Sequence, residues 1–239
     1  MEWLLSPIDA SRLHSVGMAV SWHARIMVFC WVVIAPAAVL AARYLKVMPG
    51  QDWPRVLDNP TWWRIHLKGQ TAVAVLSVLG FLLIFGTAIG GTVHGFMGFI
   101  VLAGMALQVV SGLARGTKGG PTAPAPDGSE RGDHFDMTRR RIVFEYLHKT
   151  LGHLVLLLAT FTVLLGLWHV NAPRWMWLVI GLWWGVLLVA AIMAQRRGMA
   201  MDTYQAIWGP DPGLPGNTRT PIGWGIRRID ERNGNVRTD

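Results

Sequence analysis

Long uncharged apolar runs alternate along this chain with short, strongly charged connections, and this alternation limits its fold more than any other feature. A helix that crosses the hydrocarbon layer of a membrane needs about 20 predominantly apolar residues. The predicted spans are A (22–42), B (66–88), C (94–114), D (147–168) and E (175–194). The composition agrees, since 52% of the residues are hydrophobic and only 15% are charged. We therefore predict an all-α membrane protein with five transmembrane helices.

Basic residues lie almost entirely on one side of the predicted membrane. Of the 22 Lys and Arg residues, only Arg12, Arg25 and Arg174 fall on the opposite side. Because cytoplasmic loops carry the excess of Lys and Arg, the crowded side is predicted to be cytoplasmic. We expect an extracytoplasmic N-terminal segment (1–21), a transmembrane domain (22–195) and a cytoplasmic C-terminal tail (196–239). We expect the membrane to be a bacterial inner membrane.

The net charge of +8 raises nucleic-acid binding as an alternative. The basic residues are divided among separate connections and form no patch interleaved with base-stacking aromatic residues, so we predict no nucleic-acid partner. Two interpretations of the basic surface stay open. It contacts anionic membrane lipid, or it docks an acidic partner.

Four histidines lie at the starts of four successive spans, at a depth where a titratable ring needs a partner. His23 and His94 begin spans A and C, which both run inward from the outer face, so these two share the outer half of the membrane. His66 and His148 begin spans B and D, which run the other way, and they share the inner half. Two facing imidazoles on different helices are typical axial ligands of haem iron in electron transfer. Four of the five helices are thus predicted to form a haem-binding bundle, with an outer and an inner b-type haem.

An internal repeat relates spans C and D. Both spans carry a histidine followed at the same offsets by two glycines and a leucine. The repeated residues are His94, Gly98, Gly112 and Leu113 in span C, and His148, Gly152, Gly166 and Leu167 in span D. The four glycines are candidate cofactor-binding residues, because they leave space on the ligand side of each helix. The alternative is that they only let the helices approach closely.

The other histidines are weaker candidates. His153 lies five residues after His148, and five residues turn a helix by about 140°, so only one of the two can face a given haem. The repeat favours His148. His14, His134 and His169 fall in predicted loops or span ends, and we expect them to be solvated or interfacial.

The single cysteine, Cys30, lies within span A. It allows no intrachain disulfide, no cysteine-rich metal site and no CxxCH motif for covalent haem attachment, so any haem is held non-covalently. The first 22 residues contain Glu2 and a brief apolar patch but no basic stretch followed by an apolar core, and we expect no removable signal peptide.

Motifs in spans A to D carry a family resemblance. They are His23-Ala-Arg-Ile-Met27 with Pro36 and Ala42-Arg43-Tyr44-Leu45-Lys46, then His66-Leu-Lys-Gly-Gln70, His94-Gly-Phe-Met-Gly98 and His148-Lys-Thr-Leu-Gly152. Taken in this order, they resemble the core of the cytochrome b561 family, particularly its DOMON-associated branch. The resemblance implies two b haems, ligand pairs on the first and third and on the second and fourth core helices, and transmembrane electron transfer. It also places Arg43 and Lys46 near the cytoplasmic haem, where some relatives bind ascorbate.

The sequence also departs from that family's pattern. No DOMON-like domain precedes span A, so we expect the electron donor and acceptor to be separate partners, each a small molecule or a redox protein. The connection between C and D is longer and more basic than the resemblance leads us to expect, and residues 198–239 have no counterpart in the family's pattern. The sequence therefore does not identify the donor or the acceptor. A homodimer or a place in a larger complex is compatible with the sequence.

The sequence does not decide whether the protein is an electron-transfer cytochrome or a transmembrane oxidoreductase. Two alternative functions also stay open. A ferric or superoxide-linked reductase would use the same haem pathway. A non-redox scaffold subunit would use the histidines only for hydrogen bonds. A respiratory quinol-oxidising cytochrome b is disfavoured, because that architecture places two ligands on one helix.

Overall fold

Five long helices dominate the computed structural model, which describes residues 1–86, 91–230 and 235–238. The long helices are Met18–Tyr44, Thr61–Leu82, Val93–Leu113, Arg139–His169 and Arg174–Arg196. All five are long and apolar enough to cross a membrane. Large apolar side chains such as Leu182 and Val110 are exposed on them, as expected of surfaces that face lipid. The prediction of an all-α integral membrane protein with five spans is confirmed.

The helices and strands are numbered along the chain. The elements are α1 (Glu2–Leu5), α2 (Met18–Val28), α3 (Ala35–Tyr44), α4 (Thr61–Leu82), α5 (Val93–Leu113), α6 (Arg139–His169), α7 (Arg174–Arg196), α8 (Thr203–Trp208), β1 (Arg227–Asp230) and β2 (Asn235–Thr238). A 3₁₀ turn, Pro215–Thr218, precedes the two strands, which pair antiparallel. Span A corresponds to α2 and α3 together, and spans B to E correspond to α4 to α7.

Two helices depart from the predicted bounds. Helix α4 starts at Thr61, five residues before predicted span B, and the predicted end of that span at Ala88 lies outside the described residues. Helix α6 starts at Arg139 instead of residue 147, and the hydroxyl of Thr138 accepts a hydrogen bond from the backbone N–H of Arg141. With 31 residues, α6 is about 46 Å long and exceeds the hydrocarbon thickness, so its charged first turns extend beyond the apolar layer.

Helices α2 and α3 are joined without a break by a π-helical segment, Phe29–Ile34. Pro36 follows it and has no N–H to donate to the carbonyl of Val32, four residues earlier. The indole Nε1 of Trp183, on α7, donates a hydrogen bond of 2.9 Å to that carbonyl. In an apolar environment a backbone carbonyl needs such a partner, so Trp183 stabilises the irregular segment of span A.

The described chain divides into two compact units, and each long span contributes residues to both. The first unit comprises Met1–Val39, Leu67–Ala106 and His153–Ala191. Within it, the buried Asn171 fixes the N-terminal segment. Its side chain accepts a hydrogen bond from the backbone N–H of Asp9 and donates to the carbonyls of Asp9 and Arg12.

The second unit comprises Leu40–His66, Leu107–Gly152 and Ile192–Asp239. Its core joins the C to D connection to the tail, and its buried residues are Met137, Tyr204, Ile207, Trp208 and Ile222. The connection has no regular helix or strand between residues 114 and 138, as its Gly and Pro content predicted. It folds back on itself at Gly119 and Gly132, where a Cβ on Gly119 would lie 2.7 Å from the Cα of Gly132. Two glycines are therefore needed for the two backbones to pass.

Candidate functional site: two histidine pairs

The rings of His23 and His94 lie side by side within the first unit, edge to face. Their centroids are 6.2 Å apart and their planes are nearly perpendicular, at 89°. The Nδ1 atom of His23 lies 2.8 Å from the carbonyl oxygen of Gly80, and the Nδ1 atom of His94 lies 2.9 Å from that of Thr162. A carbonyl oxygen can only accept, so Nδ1 carries the proton in both rings. Each Nε2 therefore keeps the lone pair that a metal ligand requires.

A cavity of about 240 Å³ adjoins this pair, and both rings line it. Most of its other walls are apolar, as in Phe81, Phe99 and Val163. Gly98 also lines the cavity, and a Cβ built on it would meet nothing within 4 Å. The outer pair thus has apolar, open space beside it that could hold a flat apolar cofactor.

The rings of His66 and His148 form the corresponding pair within the second unit. Their centroids are 6.3 Å apart, with an interplanar angle of 75°. The Nδ1 atom of His148 lies 2.8 Å from the hydroxyl oxygen of Ser111, which donates its own proton to the carbonyl of Gln108 at 2.9 Å. Because the hydroxyl has only that one proton, it must accept from Nδ1, and the Nε2 of His148 also keeps its lone pair.

Aromatic side chains flank the inner pair. The Trp63 ring lies 6.1 Å from that of His66, and the Phe144 ring lies 5.1 Å from that of His148. Both flanking residues are on the same helix as the histidine they contact, three or four positions before it. The helical spacing therefore encloses each inner ring on one side with an apolar face.

Glycines of the internal repeat lie against the histidine of the other repeated helix. A Cβ on Gly166 would lie 2.9 Å from Cε1 of His94, and a Cβ on Gly112 would lie 3.8 Å from Cε1 of His148. Gly152 lies beside the side chain of Gln108. Gly166 thus leaves room for the His94 ring, whereas the distance at Gly112 is an ordinary contact that a Cβ would also allow.

The remaining histidines differ in burial. His14 and His169 are exposed, as expected for solvated or interfacial side chains, and the side chain of His153 is exposed as well. His134 contradicts that expectation, since only 3% of it is exposed. Its ring packs against Tyr204 and Trp208 at centroid distances of 5.8 and 6.0 Å. The prediction failed because the tail covers the connection that contains His134, and this long-range contact has no signal in the local sequence.

The two basic residues that the resemblance places near the inner haem are engaged by the tail. Lys46 is only 6% exposed, and its ammonium donates to the carbonyl of Met201 at 2.9 Å. Burial, with the nearby charge of Lys149, lowers the pKa of Lys46 to about 7. The guanidinium of Arg43 lies 4.2 Å from the Trp224 ring and donates to the Trp224 carbonyl.

The donor sets of both pairs fit haem iron better than a bare ion. In the described part of the chain, no group of three or more His, Cys, Asp or Glu side chains could hold a metal ion. A bare ion such as zinc takes four ligands, whereas haem iron brings its own ring of four nitrogens. Each pair offers two imidazoles, which is the number of protein ligands that haem iron can still take.

Several atoms at the site escaped prediction. The carbonyls of Gly80 and Thr162 are backbone groups, which any residue would supply, so their role has no sequence signal. Ser111 could have been noticed, since a polar residue directly precedes a repeated glycine. That the four histidines act as haem ligands stays a prediction.

Comparisons with known proteins support the resemblance to cytochrome b561 proteins. No family model matches the chain, and no solved structure matches it. A cytochrome b561 and DOMON domain-containing protein of Arabidopsis thaliana is 30% identical over 153 residues, which cover 61% of this chain and 27% of the relative. A cytochrome b561, DM13 and DOMON domain-containing protein of the same plant is 24% identical over 187 residues, or 74% of this chain and 18% of the relative. The chain thus spans about a quarter or less of the length of these relatives.

Proposed function

We propose that this protein is a di-haem b-type cytochrome of the cytochrome b561 family that transfers electrons across a membrane. The observation that carries the proposal is the arrangement of four histidines into two facing pairs, 6.2 and 6.3 Å between ring centroids. The names of the similar plant proteins support the same family. In this proposal His23 and His94 hold the outer haem, and His66 and His148 hold the inner one.

Bound haem would supply reversible one-electron chemistry at its iron. The chain's own residues would hold and orient each haem. Each haem would be held by two imidazoles, which would leave its iron no open position for a substrate, and this suits electron transfer. The carbonyls of Gly80 and Thr162 and the hydroxyl of Ser111 fix the orientation of three rings and increase their basicity as ligands. The apolar walls beside the outer pair exclude water.

The proposal includes the orientation and the partners expected from the sequence. The N-terminus lies outside and the C-terminal tail in the cytoplasm, in a bacterial inner membrane. A donor and an acceptor, each a small molecule or a redox protein, exchange electrons with the two haems from opposite sides. The protein itself makes and breaks no substrate bond.

Haem quantification of the purified protein tests the function. We expect reducible b-type absorption bands and two haems per chain in the pyridine haemochrome assay. His94→Ala should lower this to one haem per chain, because the outer haem loses an axial ligand while the inner pair stays complete. His153→Ala is the matched control on a ligand helix and should keep both haems, since the His153 side chain is exposed.

Two results would contradict the proposal. Well under one haem per wild-type chain would favour the non-redox scaffold. Retention of both haems in His94→Ala would show that the pairing is wrong, even if the protein is a cytochrome.

A further inference from the structure

Arg115 is a cation in the second unit that has no counterion among the residues the structure describes. It follows helix α5 by two residues and is half-buried. Its guanidinium carbon lies 4.1 Å from the centre of the Trp63 ring. Among the described residues it donates no hydrogen bond and forms no ion pair. A half-buried guanidinium without an anion is unfavourable, because it loses hydration without gaining a partner.

Neighbouring charges increase this imbalance. Burial lowers the pKa of Arg115, and the positive charge of Arg141 lowers it further. The buried carboxylate nearby, Glu145, is already shared by Arg141 at 2.9 Å and Lys149 at 2.6 Å. Asp133 accepts hydrogen bonds from Thr117 and Thr138 instead. Arg115 nevertheless stays protonated at physiological pH, as guanidinium groups do in proteins.

The contact with Trp63 determines which part of Arg115 is available. A guanidinium stacked on an aromatic ring uses its face, and the N–H groups along its edge stay free to donate. That edge matches a carboxylate, which can accept two parallel hydrogen bonds from it. The same Trp63 ring lies 6.1 Å from the ring of His66. Trp63 therefore connects Arg115 to the inner histidine pair, since its ring neighbours both the guanidinium and the His66 ring.

We propose that Arg115, held against Trp63, binds a carboxylate beside the inner histidine pair. This inference rests on the proposed function, because the nearest source of a carboxylate is the periphery of a b-type haem bound between His66 and His148. A free carboxylic acid that approaches the same pair has the same chemistry and is the second source. In either case Arg115 is a binding residue for the anion and not a ligand of the iron.

A redox titration of the purified full-length protein tests the proposal. Arg115→Gln removes the positive charge and leaves a bound carboxylate uncompensated, and both changes disfavour the reduced haem. We expect the midpoint potential of one of the two haems to fall. The equilibrium constant for its reduction should fall at least threefold, which corresponds to about 28 mV for a one-electron couple at 59 mV per tenfold change.

Two further variants make the test specific. Arg115→Lys keeps the charge but loses the two-pronged edge, and its potential should lie between those of the wild type and Arg115→Gln. Arg115→Lys also tests the proposal if Arg115→Gln does not fold. Arg139→Gln makes the same charge change at an exposed position and should leave both potentials at their wild-type values.

Acetate distinguishes the two sources. Without added carboxylate, a lowered potential in Arg115→Gln that Arg115→Lys restores only in part indicates the carboxylate of the haem, whereas full restoration by Arg115→Lys shows an effect of charge alone and contradicts the carboxylate site. If the wild type and Arg115→Gln have equal potentials without acetate, and acetate shifts the potential of the wild type alone in a saturable way, the ligand is a free carboxylate. If the two proteins have equal potentials both with and without acetate, the carboxylate site is wrong, while the di-haem function stands. A wild-type protein without haem overturns both.

Discussion

At the scale of single residues, the acceptors that face the Nδ1 atoms of the proposed histidine ligands differ in kind. His94 donates to the backbone carbonyl of Thr162, whereas His148 donates to the side chain of Ser111. In the internal repeat, Thr162 corresponds to Gln108, whose carbonyl accepts the hydroxyl proton of Ser111. Ser111 thus stands between His148 and the Gln108 carbonyl, whereas His94 contacts the equivalent Thr162 carbonyl directly. A hydroxyl can be removed by mutation without changing the backbone, so the inner ligand offers a direct test.

Ser111→Ala should raise the midpoint potential of the inner haem. Without its acceptor, His148 is less basic and donates less electron density to the iron, which favours the reduced state. The loss of one hydrogen bond of about 1 kcal/mol corresponds to roughly 40 mV for a one-electron couple. A spectroelectrochemical titration measures the change.

Thr160→Ala is the control for Ser111→Ala. The Thr160 hydroxyl also donates to a carbonyl of its own helix, that of Leu156, but contacts no histidine. Both potentials should stay at their wild-type values in this variant. An unchanged inner potential in Ser111→Ala would show that the hydrogen bond does not tune the ligand.

At the scale of elements, span A is the helix with an internal irregularity. The π-helical segment and Pro36 interrupt its regular hydrogen bonding, and Trp183 of α7 donates to the Val32 carbonyl. This contact fixes α7, which carries no predicted ligand, to the helix that carries His23. Helix α7 is thus connected through span A to the outer histidine pair.

Trp183→Phe should destabilise the protein by about 1 kcal/mol, because the Val32 carbonyl loses its donor in an apolar environment. Pro36→Ala restores a backbone N–H in span A that can serve this carbonyl. The double variant should therefore lose less stability than the sum of the two single variants. Denaturation in detergent measures the free energy of unfolding of all four proteins, and strict additivity would contradict the proposed link.

Hydropathy and span direction predicted the five helices and which histidines lie on the same side. Hydropathy predicted the helix ends less well. It detects only apolar residues, so it misses charged helical turns such as those that begin α6 at Arg139. Hydropathy and span direction both missed the burial of His134, which depends on contacts with the tail. The orienting carbonyls of Gly80 and Thr162 could not be predicted at all, because no side chain marks them.

At the scale of the whole molecule, the second unit has a core outside the long helices. The C to D connection and the tail meet there around Tyr204 and Trp208, and the uncharged His134 ring is buried between them. Burial, followed by the positive charge of Arg141, lowers the pKa of His134 to about 3. The nearby charges are those of Arg141, Glu145, Lys149 and Lys118. This core should therefore be sensitive to acid.

His134 should make folding less stable as the pH falls below 6.5. In that range the unfolded chain binds a proton at this residue, with the usual pKa of 6.5, while the folded chain does not until about pH 3. The free energy of unfolding falls by about 1.36 kcal/mol for each pH unit below 6.5. Between pH 7 and pH 5 the protein therefore loses about 2 kcal/mol of stability. His134→Phe should remove this contribution, as measured by denaturant titration in detergent at both pH values.

His14→Phe is the matched control for His134→Phe, because the His14 ring is exposed. Its loss of stability between pH 7 and pH 5 should equal that of the wild type. The same loss in His134→Phe would show that another group causes the acid sensitivity.

Helix α6 contributes to both histidine pairs, and this has a consequence for biosynthesis. It carries His148 itself, and through Thr162 and Gly166 it also supplies the acceptor and the space for the His94 ring. The ribosome makes His23, His66 and His94 well before it reaches α6. A nascent chain that stops before α6 therefore has His23 and His94 but lacks the Thr162 carbonyl that orients the His94 ring, and it has His66 without His148. Cofactor loading at either position should thus wait until this fourth span has entered the membrane.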